Sequence, residues 1–145
     1  SWLASLTALL DGCALIMIGL EGVPLKPTKF VFALARHAAV DLAQSFGVKI
    51  TAEQRDFTTA DFLRLRAELA DHGILMRDVA ETAETRFREL RGMYEPFVQA
   101  LSHYLLLPLP ELGITTNRID DWQTSAWDHF LPSSPHTLDR AMRRG

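Results

Sequence analysis

One apolar stretch, Phe30 to Phe46, has the sequence FVFALARHAAVDLAQSF. Its large apolar residues recur on nearly every side of a helical wheel, so a helix here has no wide polar face. Such a helix has to be covered by neighbouring elements on all sides. Thr28 suits the N-cap position, and Gly47 suits the C-terminal end. The pattern therefore predicts a buried central helix over about residues 28–46, on which the other elements pack.

A second apolar stretch, Trp2 to Leu20, precedes the predicted central helix. The run is about long enough to cross a membrane, but Asp11 lies at its centre, where a charge in lipid is costly. We therefore expect a buried helix of a soluble domain. Gly19 and Gly22 suit its C-terminal end. The two prolines that follow are expected to keep the connecting segment out of a helix.

A short amphipathic helix is predicted next. Thr58 and Asp61 have the spacing of a capping box, and the helical periodicity that follows ends near Gly73. Two more short helices are predicted towards the C-terminus, over about residues 120–130 and from Ser133 onward. Because no alternating strand pattern of useful length occurs, the fold class is predicted to be all-α, a bundle of five or six helices.

The longest periodic segment begins at Asp78, which opens a second predicted capping box. Eight apolar positions then recur three or four residues apart: Val79, Ala83, Phe87, Leu90, Tyr94, Phe97, Leu101 and Tyr104. One face of a long helix over about residues 78–105 carries all eight. Pro96 lies inside this helix and is expected to kink it near Gly92.

Composition sets the size and class of the protein. The chain has 145 residues, of which 48% are hydrophobic, and this suits a single helical domain over residues 1–145. Its net charge of -3 argues against a nucleic-acid partner, which requires a basic face. A single cysteine, Cys13, excludes an internal disulfide and fits a reducing compartment. The sequence opens inside an apolar run, which we interpret as a fragment of a longer protein.

The best catalytic-looking spacing is that of His37 and Asp41, which lie four residues apart and share a helix face. A carboxylate so placed can orient an imidazole, so a helical enzyme that uses this pair is one alternative. No Ser or Cys at fixed spacing completes a triad. We favour a structural polar cluster of Asp11, Arg36, His37 and Asp41 in the core, because buried charges are usually paired. An Asp41→Ala change would then cost about 3 kcal/mol.

Sites for small ligands are weakly indicated. The histidines are scattered, and no HExxH motif or nucleotide-binding fingerprint occurs, so we predict neither a metal nor a cofactor. Tyr94, Phe97 and Tyr104 form an aromatic stripe along the long predicted helix. Core packing is the commoner explanation of such a stripe. It could also line a pocket, which keeps a small-molecule sensor as a second alternative.

Four segments together resemble one family: WLASLTALLDGCALIMIGLEG, ALARHAAVDLAQ, MYEPFVQALSHYLLLPLP and DDWQTSAW. They resemble the cytoplasmic C-terminal region of bacterial potassium (ion) channel family proteins, where such a region follows a two-helix pore module. The resemblance covers most of the chain and is thinnest across residues 48–84. The potassium filter sequence of TVGYG type is absent from this chain, and the resemblance implies that the pore would precede Ser1.

The resemblance implies a non-catalytic, cytosolic assembly or regulatory domain at the cytoplasmic side of the bacterial inner membrane. It carries no catalytic residue over to this chain. Because pore modules close by rotational symmetry, an attached domain is held close to its own copies. The apolar length of the two N-terminal helices exceeds what one small bundle readily hides. We therefore predict a homo-oligomer, a dimer or higher, with these two helices near the contact.

Overall fold

The computed structural model describes residues 1–51, 57–77 and 80–112, which all lie within the unit Ser1–Ile114. These residues form five helices: α1 Trp2–Met17, α2 Leu25–Ser45, α3 Thr59–Asp71, α4 Ala80–Gly92 and α5 Glu95–Leu105. Within these ranges no strand occurs beyond one isolated bridge, so the predicted all-α class is confirmed. The predicted helices at about 120–130 and from Ser133 lie outside the described residues, and the single domain over 1–145 stays a prediction.

Among the described helices, α1 has the most buried residues, and it packs against α2, α4 and α5. Ser1 is its N-cap, and the Ser1 hydroxyl accepts a hydrogen bond of 3.2 Å from the Ala4 N–H. Beyond its end, Gly19 adopts the positive φ of 117° that glycine tolerates without strain. Within the described ranges, no helix is both long enough and apolar enough to cross a membrane.

Helix α2 begins three residues earlier than its sequence suggested. Pro24 is the N-cap, and Thr28 lies inside the helix, where its hydroxyl donates a 2.8 Å hydrogen bond to the Pro24 carbonyl. Pro27 therefore sits in the first turn, where a missing N–H breaks no helical hydrogen bond. The expectation that both prolines stay outside the helix is wrong for this reason. The C-terminal end at Ser45, followed by Gly47 with φ of 62°, agrees with the prediction.

Helix α2 is also not buried on all sides. Its buried positions are occupied mainly by small residues: Thr28, Phe32, Ala35, Ala39 and Ala43. On the opposite face Phe30 is 66% exposed and Leu34 is 56% exposed. The alanines bring the backbone close to α1, and among the described helices α5 is the other main neighbour of α2. The prediction of a completely covered central helix is therefore wrong, and α1 takes the central position.

Helix α3 has the N-terminus that its sequence predicts. The Thr58 hydroxyl accepts a hydrogen bond of 3.2 Å from the Asp61 N–H, and the Thr58 N–H donates to the Asp61 carboxylate at 2.9 Å. The capping box is thus confirmed, as is the glycine end, where Gly73 has φ of 77°. The second predicted capping box, at Asp78, lies outside the described residues.

A short backbone pairing ties two loops together at one end of the bundle. Leu20, in the α1–α2 loop, forms an antiparallel bridge with Met76, in the segment between α3 and α4. The Arg77 N–H donates to the Gly19 carbonyl at 3.0 Å, and the Glu21 N–H donates to the Leu75 carbonyl at 3.2 Å. This pairing holds the start of α2 beside the end of α3.

The long helix predicted over about residues 78–105 is two helices, α4 and α5. The helical conformation is interrupted at Met93 and Tyr94, and Tyr94 is the N-cap of α5 with φ of -132°. Pro96 lies in the first turn of α5, because it cannot donate to a helical carbonyl and its ring opposes the carbonyl of Gly92. The same residues that predict a kink therefore produce a complete helix boundary.

Candidate functional site

Four polar side chains meet in the interior between α1, α4 and α5, and we refer to them as the buried cluster: Asp11, Arg91, Tyr94 and Glu95. Each is less than one-tenth exposed, with relative accessibilities of 6%, 8%, 1% and 5%. The Tyr94 hydroxyl donates to Oδ1 of Asp11. Arg91 donates from Nη2 to Oε1 of Glu95 at 2.9 Å, and its Nε lies 3.8 Å from Oδ1 of Asp11. The cluster therefore links three helices through charged and hydrogen-bonded groups.

Aromatic rings enclose the guanidinium of Arg91. Its central carbon lies 5.0 Å from the centre of the Phe57 ring and 5.8 Å from that of Phe87. Among the described residues, Nε of Arg91 has no hydrogen-bond acceptor, although the Asp11 carboxylate is close. A desolvated cation over aromatic faces is stabilised by the negative potential of the rings. Arg91 is thus held by Glu95 and by aromatic contacts together.

The ionisation of Tyr94 is strongly suppressed. Burial raises the pKa of the Tyr94 phenol above its usual value, and the nearby Asp11 carboxylate raises this pKa further. The phenol therefore stays neutral and remains a donor to Asp11 across the neutral range. The cluster therefore joins α1, α4 and α5 through one hydrogen bond from a neutral phenol and the ion pairs of one guanidinium.

The structure separates the predicted polar cluster. Asp11 joins the buried cluster, whereas Nε of Arg36 donates a 2.9 Å hydrogen bond to the Met93 carbonyl at the α4–α5 break. His37 and Asp41 form a pair at 3.3 Å, with side chains 75% and 57% exposed. Of the four residues of the predicted cluster, only His37 and Asp41 contact each other in the part of the chain that the structure describes. The expectation that the pair is buried is wrong, because this face of α2 points into solvent.

Sequence reasoning missed Arg91 and Glu95, which were assigned to no site. Their spacing of four residues is the signal that could have found them, because such residues are neighbours on a helix. The amphipathic pattern, however, places Arg91 among the polar positions of the predicted long helix. The interruption of the helix at Met93 and Tyr94 changes which way the following side chains face. Helical periodicity in the sequence does not predict this change.

The aromatic stripe does not form one pocket wall. Tyr94 belongs to the buried cluster and meets the edge of Phe32 at 5.8 Å between ring centres. Phe97 is half-buried against the core. Tyr104 is 58% exposed and packs beside Phe46 at 5.7 Å. The helix boundary at Tyr94 and the different surroundings of the three rings separate the predicted pocket lining.

A cavity of about 180 Å³ lies between α1, α3 and residues 110–112. The residues that line it are mostly apolar: Ala8, Asp11, Leu15, Leu65, Leu69, Pro110, Glu111 and Leu112. None belongs to the aromatic stripe. Asp11 lines the cavity and is also a member of the buried cluster, so the cavity adjoins the link between helices.

The second feature with functional potential is the exposed apolar face of α2, which we call the α2 stripe: Phe30, Val31, Leu34 and Ala38. Phe30 and Leu34 follow the spacing that places residues on one face of a helix. Lys26 and Lys29 precede the stripe, and Asp41 follows it. The face thus has an apolar middle, a basic N-terminal end and an acidic C-terminal end.

Metal and thiol chemistry find little support in the parts of the chain that the structure describes. Among those residues, no three His, Cys, Asp or Glu side chains gather into a group that could hold a metal ion. Cys13 is 5% exposed, and burial raises the pKa of its thiol. A thiol with a raised pKa and little access to solvent is a poor nucleophile, so Cys13 acts as a small core residue.

Comparison with models of protein families, with curated proteins and with solved structures gave no match to the chain.

Proposed function

We propose that the chain is a non-catalytic helical assembly module that pairs with a second copy of itself through the α2 stripe. The observation that carries the proposal is the exposure of Phe30 and Leu34, which are 66% and 56% accessible on one helix face. Single exposed apolar residues need no explanation, but adjacent large ones on one face are typical of an interaction site. The proposal assigns the exposed His37–Asp41 pair no catalytic role.

The charges along α2 favour a second copy as the occupant. In a two-fold symmetric dimer, each contact occurs twice. If one residue of the first copy contacts a different residue of the second copy, the same two residues also meet with the copies exchanged. An antiparallel arrangement with its axis near Leu34 places the Asp41 of each copy beside Lys26 of the other. Opposite charges then meet at both ends of the contact, and this complementarity disfavours the parallel arrangement.

The sizes of the side chains fit the same arrangement. With the axis near Leu34, the two Leu34 side chains meet, and Phe30 of each copy lies opposite Ala38 of the other. A large side chain opposite a small one allows the surfaces to interdigitate. The contact is modest in area, so it suits a module whose copies are already held together by an attached assembly.

The sequence resemblance to the cytoplasmic region of bacterial potassium channel proteins supplies that context. We include in the proposal that the module is attached to a membrane pore and assists its assembly or regulation. This part rests on the resemblance, and the self-association rests on the α2 stripe. Two predicted membrane spans and a filter of TVGYG type in the gene upstream of Ser1 would support the channel context, and their absence there would reject it.

Sedimentation equilibrium of the chain tests the self-association directly. The wild-type mass should be that of a dimer at micromolar to millimolar concentration. A Leu34→Glu variant should be a monomer, because two carboxylates would meet at the axis. Leu63→Glu is the matched control, since Leu63 is 49% exposed on α3 and lies outside the stripe. A wild-type monomer throughout this range would reject the proposal.

A charge-reversal pair tests the antiparallel arrangement itself. Asp41→Lys should weaken dimerisation, since it places like charges beside Lys26 of the second copy. The double change Asp41→Lys with Lys26→Glu should restore it, because the opposite charges meet again. Helical circular dichroism confirms that each variant is folded. If the double variant dimerises no better than the single one, the antiparallel arrangement is wrong.

A further inference from the structure

Helix α1 has an exposed apolar face that carries no charge. Trp2 and Leu9 are each 47% exposed, and Asp11, the only charged side chain among residues 2–17, is 6% exposed. The exposed side of a surface helix normally carries charged and polar residues. Depletion of charge is typical of the centre of a protein–protein contact. The exposed face of α1 therefore has the composition of an interface, and the α2 stripe alone does not account for it.

The exposed faces of α1 and α2 lie on the same side of this helix pair. Tyr94 contacts both helices from the opposite side, Asp11 of α1 through a hydrogen bond and Phe32 of α2 through its ring. Each residue turns a helix by about 100°, so side chains two positions apart point in nearly opposite directions. Leu9 lies two positions before Asp11. Phe30 lies two positions before Phe32. Leu9 and Phe30 therefore both point away from Tyr94.

Leu9 and Leu34 lie at about the same height along the two helices. A short loop joins α1 to α2, so the packed helices run in opposite directions. Asp11 and Phe32 both contact Tyr94, and this places them at about the same height. Two positions back along α1 and two positions forward along α2 lead to Leu9 and Leu34, which are therefore level with each other.

The exposed apolar residues on this side of α1 and α2 form one surface. Trp2 lies seven positions before Leu9, about two turns of helix, so both point the same way. We call this surface the two-helix face: Trp2, Leu9, Phe30 and Leu34, each at least 47% exposed. It is two helices wide, whereas the α2 stripe is one helix wide.

The size of a stable dimer contact favours this wider surface. Specific interfaces bury about 800 Å² on each partner, from about 20–30 residues a side. The α2 stripe has four residues, one of which is alanine. The 16 residues of α1 extend about 24 Å, and packed helices lie about 8–10 Å apart, so including α1 roughly doubles the width of the contact. A dimer that persists at micromolar concentration therefore requires surface beyond the α2 stripe.

We propose that the dimer interface includes the whole two-helix face, so that α1 of each copy packs against α1 of the other. This inference rests on the proposed pairing of α2. A two-fold axis that lies in the contact plane and crosses α2 at a right angle keeps α1 opposite α1. Because Leu9 is level with Leu34, an axis near Leu34 brings the two Leu9 side chains together. Trp2 lies seven positions before Leu9 and Ile16 seven positions after it, so Trp2 of each copy lies opposite Ile16 of the other.

Sedimentation equilibrium of the full chain separates this inference from the pairing of α2. Leu9→Glu should weaken dimerisation about a hundredfold, because two carboxylates would meet at the axis. Leu63→Glu, at a position of α3 that is 49% exposed, is the matched control and should leave the Kd unchanged. If Leu34→Glu dissociates the dimer and Leu9→Glu does not, the role of α1 is overturned and the pairing of α2 stands. If only Leu9→Glu dissociates the dimer, the pairing of α2 is wrong, and the shared axis with it.

Cross-linking with a short bismaleimide tests the arrangement of the two α1 helices. In a Cys13→Ala background, the double variant Trp2→Cys with Ile16→Cys should give covalent dimers, because these positions face each other between copies. Within one copy the two thiols are about 21 Å apart along α1, beyond the reach of the reagent. Each single variant should remain largely uncoupled, since its own thiols are equally far apart in the dimer. A double variant that is coupled no better than the single variants overturns the arrangement.

Discussion

The hydroxyl of Tyr94 donates a hydrogen bond to the carboxylate of Asp11, joining residues 83 positions apart in the chain. Tyr94 is also the N-cap of α5, where the chain leaves α4 and changes direction. The residue that separates α4 from α5 is therefore also bonded to α1.

Removing the Tyr94 hydroxyl should destabilise the fold. Tyr94→Phe keeps the ring and its contact with Phe32 but deletes the donor to a buried carboxylate. Hydrogen bonds to charged groups contribute about 1.5–3 kcal/mol, so the free energy of unfolding should fall by about 2 kcal/mol. Urea denaturation measures the change. Tyr104→Phe, at a 58% exposed position, is the control and should change little.

Alkaline pH should act through the same residue. Since the folded state raises the pKa of Tyr94, its contribution is complete below the unfolded value of about 10 and is lost as pH rises further. Unfolding free energies should therefore decline above about pH 10, and less steeply in Tyr94→Phe. Identical slopes in the two proteins would contradict the assignment. The buried thiol of Cys13 also has a raised pKa, so the comparison is best made in a Cys13→Ala background.

Arg91 should be among the residues whose loss is most costly. Arg91→Met leaves the carboxylates of Asp11 and Glu95 buried without their shared cation, which should cost about 3–5 kcal/mol. Combining this change with Asp11→Asn and Glu95→Gln should recover much of the loss, because the buried charges are then removed together. Arg88→Met is the control. Its ion pair with Glu84 at 2.7 Å lies at the surface and should be worth less than about 1 kcal/mol.

Acid should weaken the start of α3. The Thr58 N–H and hydroxyl lower the pKa of Asp61 below its usual value, since both donate to the ionised carboxylate. The contribution of Asp61 is present above the unfolded value of about 3.9 and is lost as pH falls through the lower folded value. Thermal unfolding between about pH 6 and about pH 3 should show a smaller acid loss in Asp61→Asn than in wild type. Thr58→Ala removes the same cap and should cost about 1 kcal/mol at neutral pH.

Two neighbouring positions of α2 should respond differently. Arg36→Met deletes the hydrogen bond to the Met93 carbonyl at the α4–α5 break, so the free energy of unfolding should fall by about 1 kcal/mol. Asp41→Ala should change it by less than about 0.5 kcal/mol, because its partner His37 is exposed. The sequence alone predicts a loss of about 3 kcal/mol for Asp41→Ala, a figure that applies to a buried pair and not to this exposed one. A large effect at Asp41 in urea denaturation of a monomeric Leu34→Glu background would contradict this placement.

Helix ends that carry a local signal were predictable from the sequence. The Thr58–Asp61 capping box and the glycine at Gly73 define α3 through groups only a few residues apart, and the structure reproduces both. The all-α class follows from periodicity in the same way. These features depend on backbone hydrogen bonds and dihedral angles, which neighbouring residues determine.

The buried faces and the candidate sites depend on distant residues and could not be predicted in this way. Apolar residues occur on both sides of the helical wheel of α2. Which side is covered depends on the helices that pack against it, and these leave Ala35 buried and Phe30 exposed. The cavity combines residues of α1, α3 and the segment after α5. The pairing of Asp11 with Tyr94 likewise needs the complete fold, because no spacing rule relates residues of different helices.

The small side chains through which α2 packs on the bundle affect the order in which the helices unfold. This helix of 21 residues places Ala35, Ala39 and Ala43 inside and leaves Phe30 and Leu34 in water. Among its fully buried side chains only Phe32 is large, so each residue of α2 gains less apolar burial than a helix with several large buried side chains, against an ordering cost of about 1–2 kcal/mol per residue. Helix α2 should therefore detach locally before the rest of the bundle unfolds. A second copy bound to the outer face of α2 would bury Phe30 and Leu34. Its binding would stabilise the docked helix and so oppose local detachment of α2.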